Sequence, residues 1–242
     1  MTKDNSKKVW VVIPAAGVGK RMQSELPKQY IKIHDKTILE HTINCFSQHP
    51  EIAGIVVAIN FEDPYWNDLK IDTGSLPLYT VEGGAERSDS VSQALEYLSV
   101  VEQAAKDSWL MVHDAARPCL SQQDIDALLA IRETDAVGGI LASPVRDTMK
   151  RGDEAQLITH TESRDNLWHA LTPQMFRLGQ LQDAFQHCLD KNITITDESS
   201  ALEAIGEKPK LVEGSSTNIK VTQPADLDLA TWLLSKNGAN NA

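Results

Sequence analysis

The chain has 242 residues, 41% of them apolar and 24% charged, an ordinary globular composition that leaves no large segment to disorder. Its formal net charge of −11 argues against nucleic acid or an anionic membrane as the main partner, so an anionic ligand has to be met by a local basic site. Cys45, Cys119 and Cys188 are odd in number, far apart and without CxxC spacing, which suggests neither a disulfide framework nor a structural zinc site and fits a reducing compartment.

The stretch from Met1 to Lys8 is polar, with no signal-peptide core, and no apolar run approaches the ~18 residues of a membrane span, so a cytoplasmic protein is expected. Val9 to Ile13 is continuously apolar and Val-rich, the pattern of a strand buried on both faces of a parallel sheet. The loop Pro14-Ala15-Ala16-Gly17-Val18-Gly19-Lys20-Arg21-Met22 follows, with Lys28 a little further on. Its small residues let main-chain N–H groups approach a ligand and its cations favour a phosphate chain. The other reading of such a loop is a plain strand-to-helix turn. It is not a Walker A loop, because Gly19-Lys20 is followed by Arg21, nor a dinucleotide fingerprint, because Met22 stands where the third small residue is needed.

Thr37-Ile38-Leu39-Glu40 has the form of a capping box and opens a helix to about Gln48. Gly54 to Asn60 and Leu78 to Val81 predict strands, Glu86 to Ala104 a helix, Trp109 to Val112 a strand, Ser121 to Glu133 a helix and Val137 to Ala142 a strand. This alternation predicts a doubly wound, mostly parallel α/β sheet. From Val145 to about Thr161 the residues are polar and alternating, a hairpin with its turn at Gly152. An isolated hairpin is marginal in water, so a second subunit is expected to pack on it. Leu178 to Leu189 and Glu198 to Ile205 predict helices, Lys210 to Val212 and Asn218 to Val221 strands, Pro224 to Leu234 a last helix, and Ser235 to Ala242 a frayed polar tail. The whole chain reads as one domain, residues 1–242, carrying the arm over about 145–164.

Ligands of open α/β sheets bind beyond the carboxyl ends of the strands. The candidate segments are the opening loop, Gly83 to Ser90, His113 to Pro118 and the stretch around Lys220. Asp114 reads either as a turn former or as a carboxylate that shares Mg²⁺ with substrate phosphates. His113, His160 and His169 fall in no metal or general-base pattern, and Trp168, Leu171 and Phe176 read as packing residues. The inventory of cations suits phosphoryl or nucleotidyl transfer, where positioning and charge stabilisation dominate.

Pro14-Ala15-Ala16-Gly17-x-Gly19-x-Arg21-Met22, Pro27-Lys28-Gln29-Tyr30, Val112-His113-Asp114-Ala115-Ala116-Arg117-Pro118, Pro144-x-x-Asp147-Thr148, Leu171-Thr172-Pro173-Gln174, Thr196-Asp197-Glu198 and Asn218-Ile219-Lys220-Val221-Thr222 occur in this order. Together they resemble the 2-C-methyl-D-erythritol 4-phosphate cytidylyltransferases, from Val9 to about Leu234. The resemblance implies Rossmann-like subunits that dimerise through interlocking hairpin arms and transfer CMP from CTP to methylerythritol phosphate, with Mg²⁺ or another divalent cation. It implies that Arg21 and Lys28 stabilise the transition state and that Ala15, Ala16, Gly17, Gly19 and Lys28 cradle the triphosphate. Gly84, Ala85 and Ser90 would read the cytosine. Asp114 would lie near the metal and the ribose or sugar hydroxyls, and Lys220 near the phosphates. Arg117, Thr148, Arg164 and Thr172 would hold the acceptor, Thr148 and Arg164 coming from the partner. Ala85 and Thr217 stand where some relatives carry acidic residues, which leaves Asp114 as the carboxylate for the metal. The rivals are a ribitol 5-phosphate cytidylyltransferase and a CTP-binding regulatory protein.

Overall fold

Alternation along the first strand sets the architecture. In β1 (Val9–Pro14), Val9, Val11 and Ile13 pack to one side and Val12 to the other, all fully buried. A strand buried on both faces needs a helical layer on each. The computed structural model, which describes residues 8–17 and 26–239, contains both layers. Helices α1 (Ile38–Ser47) and α3 (Gln122–Ala130) cover the Val11 face, and α2 (Arg87–Val100), α4 (Leu178–Lys191) and α5 (Glu198–Ala204) cover the Val12 face. The same division recurs in β4 (Ile52–Ile59), with Ile55 and Val57 opposed to Val56, and in β6 (Trp109–Val112), with Met111 opposed to Leu110 and Val112. Each such side chain contributes roughly 1.5–3 kcal/mol on burial.

With β5 (Leu78–Glu82), β7 (Gly138–Pro144), β10 (Trp168–Arg177) and β11 (Lys210–Glu213), these strands form a seven-stranded sheet in the order β11-β7-β10-β6-β1-β4-β5. β1 pairs in parallel with β4 and β6, whereas β10 runs antiparallel to β6 and β7. The chain moves outward from β1 through β4 to β5, then returns to place β6 on the other side of β1. The crevice beyond the carboxyl ends of β1 and β6 is therefore the topological switch point, where such sheets bind ligands.

The predicted capping box forms: the Thr37 hydroxyl accepts from the Glu40 N–H and the Glu40 carboxylate from the Thr37 N–H. Thr37 also ends a short ribbon, β2 (Lys32–Ile33) and β3 (Lys36–Thr37), that leads into α1. Sequence reading missed β10, because Pro173 cannot donate to a ladder. The register breaks between Ala170 and Gln174, and Pro173 sits in that break. Asn218 to Val221 is not a strand. Its polar groups are spent on loops instead, the Val221 N–H donating to Ala116 O and the Asn218 amide to Thr172 O.

The tail from Ser235 does not fray at once, since the last helix, α6 (Pro224–Ala239), runs five residues further, with Lys236 stacked 4.4 Å over the Trp232 ring. The hairpin is present as β8 (Met149–Gly152) and β9 (Ile158–Glu162), a separate two-stranded sheet whose residues are almost all exposed. Its turn falls just after Gly152, where the Asp153 carboxylate accepts from the Leu157 N–H at 2.9 Å.

Candidate active site

The crevice at the switch point is a cleft of about 210 Å³. β1 delivers Ala15, Ala16 and Gly17 to it, β5 is followed by Gly84, Ala85 and Glu86, and β6 by Asp114. Lys28 lines it from a single 3-10 turn, Lys28–Tyr30. Gln29, buried in that turn, donates to Ala15 O at 2.8 Å and Gly17 O at 3.1 Å and so ties Lys28 to the opening loop. Gly19 and Arg21 lie outside the described residues.

The paired glycines are dictated by close approach. A Cβ at Gly83 would stand 2.5 Å from the Ala16 Cβ, and one at Gly84 would run into Asp89. Ser90, itself buried, turns its hydroxyl back to the Gly84 N–H and the Glu86 carbonyl, which fixes the rim of the cleft.

Asp114 is the electrostatic centre. Its Oδ1 accepts from Arg87 Nε at 3.0 Å, and its Oδ2 meets Arg117 Nε at 3.3 Å and Lys220 Nζ at 2.9 Å. Burial alone would push this carboxyl up, but the charges of Arg87, Lys220 and Arg117 outweigh it and hold Asp114 far below the ordinary carboxylate range. Arg87 also grips the fully buried Glu198 through a fork, Nη1 to Oε1 at 2.7 Å and Nη2 to Oε2 at 3.0 Å. For Glu198 burial prevails and its carboxyl is raised despite Arg87.

Behind Asp114 lies a neutral relay. The Asp114 N–H donates to the Thr172 hydroxyl at 3.1 Å, and the Thr172 hydroxyl faces His113 Nδ1 at 3.0 Å. His113 Nε2 sits 3.1 Å from the Arg117 carbonyl. A carbonyl can only accept, so Nε2 carries the proton and Nδ1 accepts from Thr172. Burial pushes the His113 imidazole down to about 4, which keeps the ring uncharged at neutral pH. Arg117 donates on to Asn218 O at 2.7 Å, fixing the segment that carries Lys220.

Of the residues proposed from sequence, the cleft gathers Ala15, Ala16, Gly17, Lys28, Gly84, Ala85, Ser90, Asp114 and Lys220. Arg117 and Thr172 are buried beneath it and hold Asp114. Thr148 and Arg164 are exposed on the arm, away from the cleft of their own chain, with the Arg164 guanidinium donating to Arg146 O. Asp114 does not fit the metal role expected of it. Both its oxygens are committed to cations that would repel a dication, and among the described residues no group of three His, Cys, Asp or Glu side chains could hold a metal. Cys45 and Cys119 are poor nucleophiles, since burial pushes their thiols up to about 12.

Sequence reading gave no role to Gln29, Arg87, Glu198 or Asn218, and saw in His113 no pattern. All lie in segments it singled out, but Arg87 and Glu198 are 111 positions apart and only the fold pairs them.

The chain that builds this cation-lined cleft matches a family model, IspD, 2-C-methyl-D-erythritol 4-phosphate cytidylyltransferase, over residues 9–236. The chain belongs to this family. The family member so named from Vibrio vulnificus (strain CMCP6) is 55% identical over 225 residues, 93% of this chain and 94% of its own. The one from Vibrio cholerae is 51% identical over 93% of this chain and 96% of its own. Among solved structures, that of the Francisella tularensis enzyme superposes with a TM-score of 0.80 at 39% identity, covering 93% of this chain and 99% of that one. Across the described residues no helix is long and apolar enough to cross a membrane.

Proposed function

We propose that this cytidylyltransferase acts on CTP and 2-C-methyl-D-erythritol 4-phosphate, giving 4-diphosphocytidyl-2-C-methylerythritol and pyrophosphate in the synthesis of isoprenoid precursors. The observation that carries this reading is the convergence of Arg87, Arg117 and Lys220 on Asp114, beside Lys28, in a chain whose overall charge is −11. An acidic protein that concentrates cations in one glycine-rimmed cleft is built to receive phosphates there.

The acceptor's phosphate attacks the α-phosphorus of CTP in line and pyrophosphate leaves. A phosphate monoester has its second pKa near ~6 and arrives ionised, so no protein base is required. That agrees with His113, which is uncharged and turned inward with both ring nitrogens bonded to protein. Arg21 and Lys28 stabilise the charge on the pentacoordinate phosphorus, and Lys220, more than a third exposed at the mouth, exchanges Asp114 for substrate phosphate. Main-chain groups at Gly84 and Ala85 read the cytosine on the rim that Ser90 fixes. Asp114 addresses the hydroxyls of the methylerythritol acceptor. A divalent cation such as Mg²⁺, were it bound with the triphosphate, would neutralise part of its charge.

The chain works in the cytoplasm as one domain and as a homodimer. The arm supports this by exposing Met149, Leu157, Ile158 and Leu167, apolar side chains that an isolated hairpin cannot cover. Thr148 and Arg164 then reach the acceptor in the partner's cleft. The deciding measurement is pyrophosphate release. Turnover is expected with CTP and methylerythritol phosphate, with little when ATP replaces CTP or ribitol 5-phosphate replaces the acceptor. Equal rates with ribitol phosphate would overturn the acceptor, and binding of CTP without release would overturn catalysis.

A further inference from the structure

We infer that Glu198 is a positioning residue for the acceptor, fixing the Asp114 carboxylate through Arg87. This deepens the transfer reaction proposed above and rests on it. A guanidinium is planar, so when its two Nη atoms are seated on the Glu198 carboxylate, the plane and therefore the direction of Nε–H are set. That N–H points at Asp114 Oδ1 at 3.0 Å, while Arg117 and Lys220 hold Oδ2. Without the Glu198 fork, Oδ1 loses its oriented donor, and the carboxylate is free to swing about its other oxygen.

Glu198 is itself immobilised. It is 0% exposed, and its flanking residues are clamped by one side chain, Gln174, whose Nε2 donates to Asp197 at 2.9 Å and whose Oε1 accepts from the Ser199 N–H at 2.9 Å. Gln174 lies two residues beyond Thr172 in β10, and Thr172 accepts the Asp114 N–H. The main chain and the side chain of Asp114 are thus referred to the same strand, by two routes. A lysine at position 87 could not reproduce this, because an ammonium has no fork to seat on one carboxylate while aiming a third donor at another.

The test measures kcat and both KM values, with thermal unfolding, for Glu198→Gln and Glu198→Asp, and for Glu198→Gln in an Arg87→Lys background. Glu198→Gln should raise KM for methylerythritol phosphate about 10-fold or more and change KM for CTP less than about 2-fold. Glu198→Asp, which keeps the charge, should fall between it and the parent. In the Arg87→Lys background Glu198→Gln should add less than about 2-fold, since the path to Asp114 is already cut. A fall in kcat that follows the folded fraction with both KM values unchanged would overturn the inference. So would full additivity in the Arg87→Lys background. Should Glu198→Gln fail to fold, Glu198→Asp decides alone: a raised acceptor KM upholds the inference and a parental one overturns it. Absence of turnover in the parent protein would refute the reaction, whereas an active parent with unaltered variants would refute only the role of Glu198.

Discussion

The cleft and the arm use the same chemical pair and obtain different things from it. On the arm, Arg151 Nε meets Glu162 at 2.6 Å, closer than the 3.0 Å between Arg87 Nε and Asp114 in the cleft. Yet the Arg151 side chain is 65% exposed, while Glu198, which shares Arg87, is 0% exposed. Distance does not rank these contacts, whereas burial does. Solvent screens the arm pair, so it only biases the hairpin's cross-strand register. In the cleft, the Asp114 and Glu198 carboxylates were desolvated on folding and depend on their partners.

The largest expected effect joins the two regions. Lys28→Ala should lower kcat by about 10²–10³-fold, because its charge is needed most in the transition state. Mixed with inactive Arg164→Ala subunits and allowed to exchange, it should recover roughly a quarter of the parental turnover, since half the dimers then hold one intact site. Failure to recover in exchanged dimers would confine the arm to its own chain and remove it from the chemistry.

Comparable in size is Arg87→Met, which strands the buried Glu198 and should cost about 3–5 kcal/mol in denaturant unfolding. A loss no greater than that of an arm variant would erase the distinction between cleft and arm.

A third effect is set by pH. The unfolded chain protonates its histidine near 6.5 while the folded His113 resists until about 4. The stability this contributes is fully present above the unfolded value and is lost as pH falls through the folded one, by about 3 kcal/mol in all. Asp114 acts in the same sense at lower pH: its contribution is complete above the ordinary carboxylate range and declines as pH falls below it. Unfolding followed from pH 7 to pH 4 should show the histidine slope in the parent and a flatter one in His113→Asn. Parallel curves would remove His113 as the source. The smallest effect belongs to the arm, where Glu162→Gln should leave the unfolding midpoint unchanged within measurement. A clear fall would mean that the arm pair is covered in solution.

The doubly wound core was legible in the sequence because burial on both faces writes itself as continuous apolar runs, Val9 to Ile13 and Trp109 to Val112. Local hydrogen bonding made the Thr37 and Glu40 capping box equally plain. Strand β10 was not legible, because Pro173 speaks against a ladder and only the break in register admits it. Nor was the loop character of Asn218 to Val221, whose partners Ala116 and Thr172 are remote in sequence.

The sequence by itself determined the fold class, the loops that rim the cleft and the residue types a phosphate ligand requires, since all of these follow from periodicity and from residues adjacent along the chain. The tertiary structure alone decided that Asp114 is paired with three cations, that His113 stays neutral beneath it, and that Glu198 reaches the cleft through Arg87. The reason is physical. Burial and charge pairing depend on which distant segments the sheet brings together, and no local pattern encodes that choice.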